Sequence, residues 1–269
     1  MDKRPIGVFD SGLGGLTVVK KLTELLPNED IVYLGDTGRV PYGSRSKETI
    51  VKYAHQDAAF LSRFDIKAMV IACNTVCSVA FGALKSKYEI PVYEVVGAPA
   101  AAAAGLTKNG NVGVIGTSAT IRSMAYEVAL KNINPELSVF SVPCPLFVPL
   151  VEEGWTNADD AAALSVAARY LYKLRQSDID TLILGCTHYP LLSGVISKVM
   201  GPGVNLVDSG AETVKHVAEE LSKYNKLSGN ENAGTIRYFV TDSIDGFSKA
   251  ASGFLKSDVH GMVEQTTLE

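Results

Sequence analysis

The 269-residue chain has little of what marks several large classes of protein. Its four cysteines form no Cys-x-x-Cys pair, which argues against a zinc ribbon and against a thioredoxin-like redox centre. The longest apolar candidate, residues 92–106, is interrupted by Glu94 and Pro99, so no run reaches membrane-spanning length. The net charge of −4 is not the basic surplus that nucleic-acid-binding proteins carry. We therefore expect neither a membrane nor a nucleic acid among its partners.

The N-terminus also lacks the apolar segment of a secretory signal, since Met1 to Pro5 lead directly into a strand pattern. A cytoplasmic location is therefore the default expectation, and in a reducing cytosol the cysteines should be free thiols. Free cysteines are usually small buried hydrophobic residues, so a catalytic role for any one of them needs further evidence. A hydrophobic content of 46% and this length suit one large or two medium α/β domains.

Strand patterns and helical patterns alternate along the first third of the chain. Short apolar runs are separated by segments whose apolar residues recur at helical spacing. Ser46 is suited to begin one of these helices, because its side chain can accept a hydrogen bond from a free amide of the first turn. Such alternation is typical of a parallel sheet covered by helices on both faces. The predicted strands are 6–9, 31–34, 68–72 and 91–95, and the predicted helices are 16–26, 46–64 and one that follows the third strand and ends at 87.

Part of this pattern returns later in the chain. Two of the three matched pairs of segments share an offset of 113 residues (186 − 73), and the first pair has an offset of 106 (112 − 6). Two βα halves of shared design explain a constant offset better than chance similarity between apolar strands does. The pairs are IGVF at 6–9 with VGVI at 112–115, IKAMVIAC at 66–73 with IDTLILGC at 179–186, and IPVYEVV at 90–96 with GVNLVDS at 203–209.

The segment after residue 209 has no counterpart in this repeat. Its pattern predicts a helix at 211–224, a polar linker at 225–234, a strand at 235–240 and a helix at 243–255. We expect this tail to pack on one half as an addition. The fold class that follows is α/β, with two pseudo-symmetric domains, each a mostly parallel sheet flanked by helices. We assign residues 1–97 plus 210–269 to the first domain and residues 98–209 to the second.

Two cysteines occupy equivalent places in the two halves. Cys73 and Cys186 each end an apolar strand and precede a polar pair and a helix, in CNT and CTH. Ligands of open α/β sheets bind beyond the carboxyl ends of the strands. The unpaired amides that begin the next helix suit a carboxylate, and their field lowers the pKa of a nearby thiol. We therefore expect the halves to face each other across a cleft that holds both thiols.

A thiol on each side of a bound carbon atom suits one reaction. One thiolate removes a proton from one face of the carbon, and the other thiol returns a proton to the opposite face. The reference pKa of cysteine, about 8.5, allows both forms near neutral pH. The alternative is that both cysteines are buried and purely structural. Their matched positions and polar flanking residues favour the catalytic interpretation over this one.

Five segments together resemble the glutamate racemases of the aspartate/glutamate racemase family. MVIACNTVCS (69–78) and LILGCTHYPLL (182–192) resemble the two cysteine signatures of that family. The resemblance covers most of the chain in collinear order and is weakest after about Lys223. The other three segments are FDSGLGGLTV (9–18), LGDTGRVPYGSRS (34–46) and CPLFVPLVEEG (144–154).

The resemblance implies two α/β domains with the active site between them and no cofactor. It implies that L-glutamate and D-glutamate are interconverted by a two-base mechanism, which supplies D-glutamate for peptidoglycan synthesis. Cys73 would handle the proton of D-glutamate and Cys186 that of L-glutamate. The oligomeric state stays open, with a homodimer as one candidate. Some racemases of this family also bind DNA gyrase, but no feature of this sequence indicates such binding.

Further site residues follow from the resemblance by matching position. Asp10 should lie near Cys73 and relay a proton, although an aspartate before a glycine turn often only caps a helix. His188 and Glu152 are expected to assist at the second thiol, and Asp36 resembles another polar residue placed around the thiols. Thr117 is suggested by internal symmetry with Ser11. The residues expected to bind substrate are Asp10, Ser11, Tyr42, Gly43, Asn74, Thr75, Thr117, Thr187 and His188.

The remaining reactive residues have plainer interpretations. Cys77, one helical turn after Cys73, and Cys144 are expected to pack in the core, since the further ligands that a metal would need are missing. His55, His216 and His260 have no thiol beside them and are expected on helices or on the surface. We expect no metal site.

Two enzymatic alternatives stay open. The first is a racemase of aspartate or another amino acid that uses the same paired thiols. The second is a cysteine hydrolase with Cys186 as nucleophile and His188 as base, although we expect residues two apart on a loop to be poorly arranged for a direct pair. A dinucleotide turn at 12–15 is disfavoured because Thr17 stands where a third glycine is needed.

Overall fold

The computed structural model describes residues 1–255, 259 and 261–268 of the chain, so the expectation for His260 lies outside the described residues. Strands and helices alternate as predicted. Ser46 begins a helix, and its Oγ accepts a hydrogen bond from the Thr49 amide at 3.3 Å, which confirms the expected cap. None of the described helices is long and apolar enough to cross a membrane.

The first half contains four strands joined by helices. Each strand is short, and the first three are buried along their whole length, as an apolar run between two helical layers requires. The strands are β1 (Ile6–Asp10), β2 (Ile31–Gly35), β3 (Ala68–Ile71) and β4 (Val92–Glu94), and the helices are α1 (Leu16–Leu25), α2 (Lys47–Leu61) and α3 (Asn74–Lys87).

The second half repeats this arrangement after a connecting helix, α4 (Gly97–Leu106). Its first and third strands are again almost wholly buried. The strands are β5 (Asn111–Gly116), β6 (Ser138–Pro143), β7 (Thr181–Gly185) and β8 (Asn205–Asp208), and the helices are α5 (Ser118–Arg122), α6 (Ala125–Ile133), α7 (Phe147–Glu152), α8 (Ala161–Gln176) and α9 (Ser193–Met200).

The two sheets have the same core topology. With two strands from the tail, β9 (Ile236–Val240) and β10 (Val263–Gln265), one sheet has the order β10-β9-β2-β1-β3-β4. The other has the order β6-β5-β7-β8, and all pairings in both sheets are parallel. In each half the first and third strands are neighbours, so β1 lies beside β3 as β5 lies beside β7. The predicted internal repeat and the fold class are therefore confirmed. Ligand sites are expected at the carboxyl ends of these central pairs.

The tail returns to the first half. Helix α10 (Ser209–Lys223) leads back from the second sheet, and β9 (Ile236–Val240) pairs with β2. Helix α11 (Ile244–Leu255) follows, and β10 (Val263–Gln265), a strand that we did not predict, extends the same sheet. The tail strands thus join the first sheet, while the assigned domain boundaries at 97/98 and 209/210 stay a prediction.

Candidate active site

A cavity of about 590 Å³ lies between the two halves. It opens at the carboxyl ends of β1 and β3 on one side and of β5 and β7 on the other. Its volume is ordinary for a small-molecule site. The cavity wall includes every predicted site residue except Asp10 and Asp36, namely Ser11, Tyr42, Gly43, Cys73, Asn74, Thr75, Thr117, Glu152, Cys186, Thr187 and His188.

Cys73 lies at the point where β3 ends and α3 begins. Its backbone is extended and makes it the N-cap of α3, so the first free amides of the helix are beside the thiol. The thiol donates a hydrogen bond to Ser11 Oγ at 3.4 Å. Burial and the nearby Asp10 carboxylate raise the pKa of Cys73 to about 12, although Ser11 lowers it. Cys73 is therefore a protonated thiol at neutral pH.

Asp10 is buried behind the cavity wall at the end of β1. Its Oδ2 accepts a hydrogen bond from the Gly12 amide at 2.9 Å, whereas its Oδ1 has no hydrogen-bond partner within the described ranges. Burial raises the pKa of this carboxyl group, and the charge of His188 opposes the rise. A Cβ at Gly15 would come within 2.5 Å of the Asp10 Cβ, so this turn requires glycine. Asp10 is thus a carboxyl group with one unused oxygen, close to Cys73.

His188 lies between Cys186 and Glu152. Its Nδ1 is 3.9 Å from the Cys186 sulfur, and its Nε2 is 3.1 Å from Glu152 Oε1. Burial by itself lowers the pKa of His188, but the hydrogen bonds to Cys186 and Glu152 outweigh it and raise the pKa to about 10. The imidazole is therefore protonated at neutral pH and can donate to the sulfur.

This contact corrects one of our sequence arguments. We expected that Cys186 and His188, two residues apart on a loop, would be poorly arranged for a direct pair. The chain turns sharply after β7 instead, and His188 has helical backbone angles at the start of a 3₁₀ turn. The turn brings the imidazole back against the thiol.

The two halves meet through small side chains around the cavity. Thr75 at the start of α3 and Thr117 after β5 share a hydrogen bond of 2.9 Å between their hydroxyls. A Cβ at Gly14 would lie 2.1 Å from Thr187 Oγ1 and 2.6 Å from the His188 ring. The glycine turn at 12–15 is thus packed at Gly14 against two residues of the second half.

Tyr42 has a different environment from the one we expected. Its hydroxyl is hydrogen-bonded to the Asp36 carboxylate, and Asp57 Oδ2 is 3.2 Å away. Asp36 is fully buried, is absent from the cavity wall and also accepts a hydrogen bond from Thr241 Oγ1 at 2.8 Å. Asp36 therefore does not lie in the cavity beside the thiols; it holds the 36–44 loop. Tyr42 contacts the cavity while its hydroxyl is already engaged.

Two cysteines have the packing role that we expected. Cys77 is buried, donates to the Ile71 carbonyl at 3.2 Å and accepts from the Val95 amide at 3.5 Å. Cys144 is buried as well, and its thiol is near the Val142 carbonyl at 3.7 Å. Neither lines the cavity. Among the described residues no group of three or more His, Cys, Asp and Glu could hold a metal ion.

Comparison with known proteins identifies the family of the chain. The family model described as Asp/Glu/Hydantoin racemase matches residues 6–217 of the chain. The chain belongs to the Asp/Glu/Hydantoin racemase family. A glutamate racemase from Geobacter metallireducens is 49% identical over 269 residues, which are 100% of this chain and 98% of that protein. Relatives of this kind establish that the chain is an amino-acid racemase.

Solved structures of racemases agree over the whole chain. A glutamate racemase isoform from Bacillus anthracis superposes with a TM-score of 0.95 at 39% identity, covering 100% of this chain and 99% of that one. The glutamate racemase from Francisella tularensis, solved in complex with D-glutamate, has a TM-score of 0.92 at 40% identity, with 100% and 99% covered. The two-sheet architecture is therefore that of solved racemases.

The racemase cleft also contains residues that our sequence analysis missed. Ser118 and Arg122 of α5 line it, as do Val148 and Pro149 of α7. Internal symmetry could have indicated Ser118, because it follows Thr117 as Gly12 follows Ser11. Phe254 of the tail packs edge-on against His188, with ring centroids 5.8 Å apart. No signal in the sequence connects residues so far apart in the chain.

Proposed function

We propose that this racemase interconverts L-glutamate and D-glutamate by two-base proton transfer, with Cys73 and Cys186 as the two acid/base groups and without a cofactor. The observation that carries the proposal is the placement of the two thiols. They occupy equivalent strand ends in the two halves, and both line one cavity. A carbon held between them would have a proton carrier on each face.

The protonation states support an assignment of roles. In the L-to-D direction Cys186, with protonated His188 beside it, removes the α-proton of L-glutamate. Cys73, whose raised pKa keeps it a protonated thiol, then delivers its proton to the opposite face. In the D-to-L direction the two roles are exchanged. Asp10, buried close to Cys73, can receive the proton of that thiol and return it.

The negative charge that develops on the substrate needs stabilisation. Loss of the α-proton leaves a carbanion whose charge spreads into the α-carboxylate. The free amides at the start of α3 and those of Thr187 and His188 can hydrogen-bond that carboxylate as the charge grows. Ser11, Asn74 and Thr75 add polar side chains to the same wall. This use of fixed donors requires no metal and no carbonyl cofactor.

Similarity supports glutamate as the substrate. The relatives that resemble the chain over its full length are named glutamate racemases, and one was solved with D-glutamate. We propose that the product D-glutamate serves peptidoglycan synthesis and that the enzyme acts in the cytoplasm, where its thiols stay reduced. A racemase of aspartate or another amino acid is the alternative, and a panel of amino acids monitored by circular dichroism distinguishes the two.

The direct contact between Cys186 and His188 also suits a cysteine hydrolase. That function would leave Cys73 without a role, although Cys73 lies in the same cavity. Turnover of a thioester or an amide that depends on Cys186 but not on Cys73 would favour the hydrolase.

The test of the proposal is optical. Purified protein should abolish the circular dichroism signal of L-glutamate in the presence of a metal chelator and hydroxylamine, a carbonyl reagent. The expected signal decays to zero because L-glutamate and D-glutamate have equal free energies. Complete inhibition by either reagent, with both thiols still titratable, would show that a metal or a carbonyl cofactor takes part.

A further inference from the structure

Tyr126 lies outside the cavity wall but reaches the residues that form it. It belongs to α6 of the second half, and its side chain is buried. Its hydroxyl oxygen is 2.6 Å from the Asn74 side-chain amide and 2.7 Å from the Val95 carbonyl, both in the first half. Asn74 directly follows Cys73 and lines the cavity. A residue of one half thus holds a cavity residue of the other.

The Asn74 amide is held at both of its ends. The Tyr126 hydroxyl has one proton and cannot donate to Asn74 and Val95 together. If the amide is turned over, its nitrogen donates to Tyr126, Tyr126 donates to Val95, and the amide oxygen accepts from Ser209 Oγ, 3.3 Å from the other end of the amide. In either orientation Tyr126 and Ser209 hold the amide, and one amide N–H is left for another acceptor.

The partners of Tyr126 lie where the chain passes between the halves. Val95 precedes α4, the helix that leads from the first sheet to the second. Ser209 begins α10, the helix that leads back. With the amide turned over, Asn74 is therefore linked to both crossing segments, to Val95 through Tyr126 and to Ser209 directly.

The ring of Tyr126 approaches the second thiol as well. A Cβ at Gly185, the residue before Cys186, would come within 2.9 Å of Tyr126 Cε2. The ring therefore packs directly against the last residue of β7. Tyr126 thus contacts Asn74, which follows Cys73, and Gly185, which precedes Cys186.

We propose that Tyr126 is a positioning residue for racemisation, which fixes the Asn74 amide so that its free N–H meets the substrate between the thiols. The inference rests on the proposed function, in which Asn74 binds the substrate. Tyr126 itself does not line the cavity, so its effect passes through Asn74.

The substitution Tyr126→Phe tests the contribution of the hydroxyl apart from that of the ring, because phenylalanine retains the packing on Gly185. We expect KM to rise about three- to tenfold for both enantiomers, as the loss of one buried hydrogen bond predicts, with a smaller change in kcat. The effect should vanish in an Asn74→Ala background, because two residues that act through one contact are not additive. The matched control is Tyr189→Phe. Tyr189 is buried, does not line the cavity, and donates a hydrogen bond from its hydroxyl to the Cys144 carbonyl at 2.8 Å. This substitution therefore also removes one buried hydroxyl from the second half.

Two results would overturn the inference. One is an equal rise in KM in Tyr189→Phe. The other is a Tyr126→Phe effect that persists undiminished in the Asn74→Ala background, which would assign the loss to general packing.

A measurement that does not depend on enzymatic turnover distinguishes failure of the role of Tyr126 from failure of the proposed function. The side-chain amide resonance of Asn74 in a ¹⁵N–¹H spectrum should shift in Tyr126→Phe and stay in place in Tyr189→Phe. An unmoved resonance contradicts the role of Tyr126. Absence of racemase activity in the unsubstituted protein, with a resonance that moves, contradicts the proposed function instead.

Discussion

Replacing either Cys73 or Cys186 with serine should lower the rate of glutamate racemisation by roughly 10²- to 10⁴-fold, the range that a positioned acid/base group contributes. The hydroxyl of serine is a much weaker acid than a thiol, so one face of the α-carbon would lose its proton carrier. The loss should appear in both directions, since every turnover uses both thiols. Circular dichroism of either enantiomer measures it.

Each serine variant should nevertheless retain half of the chemistry. In 3-chloroglutamate, removal of the α-proton can expel chloride from C3, and no proton needs to return to the α-carbon. Cys73→Ser retains Cys186 and should release chloride from the L-configured compound; Cys186→Ser should do so from the D-configured one. If both variants processed both configurations equally, or neither did, the two-base mechanism would be wrong.

Cys144→Ser is the matched control for these variants. Cys144 is a buried thiol of the second half that does not line the cavity. Its substitution tests whether exchange of a buried thiol for a hydroxyl is harmful in itself. We expect racemisation in both directions to continue, and a thermal melt of all three variants shows that they are folded.

The second large effect concerns His188. His188→Asn should lower kcat about 10- to 100-fold in the L-to-D direction, in which Cys186 is the base, and less in the reverse direction. The ratio of the two kcat/KM values is fixed by equilibrium, so only kcat can show this asymmetry. The physical reason is that Nδ1 is 3.9 Å from the Cys186 sulfur, where asparagine brings no charge.

The pH profile should change in a defined direction. The pKa of His188 is raised to about 10, so the imidazole keeps its charge below that pH and loses it as the pH rises through that value. The rate of the unsubstituted enzyme should therefore fall through an alkaline limb near pH 10 that His188→Asn lacks. The substrate titrates identically in both proteins, so the difference belongs to His188.

His216→Asn provides the comparison, because His216 is exposed and its ring packs on Tyr93, 5.9 Å away between centroids. Its rates and its pH profile should match those of the unsubstituted protein. A His188→Asn variant with unchanged rates and an unchanged profile would make His188 a packing residue.

The sequence predicts the thiol positions well because local signals mark them. An apolar strand that ends in a cysteine and a polar pair is readable in both halves, and the sheets place both ends at one cleft. The prediction that Ser46 caps a helix is similarly local, since the cap is a hydrogen bond to an amide in the first turn of that helix. Features of this kind need no knowledge of distant contacts.

The rest of the site depends on contacts between distant segments. The sequence resemblance suggested that Asp36 lies around the thiols, but Tyr42, Thr241 and Arg39 surround it in the fold. The contact of Phe254 with His188 joins the tail to the second half. The short strand β10 has too few residues for a periodic signal, and it forms because β9 offers an edge.

The most direct test of the two-thiol account is racemisation of L-glutamate in deuterium oxide, stopped after a small fraction has been converted. Each thiol exchanges its own proton with solvent, so the D-glutamate formed should carry deuterium at the α-carbon while the remaining L-glutamate retains protium. Mass spectrometry after separation of the enantiomers measures both. Early deuterium in the recovered L-glutamate, or protium carried over into D-glutamate, would show that one group serves both faces and would contradict the account.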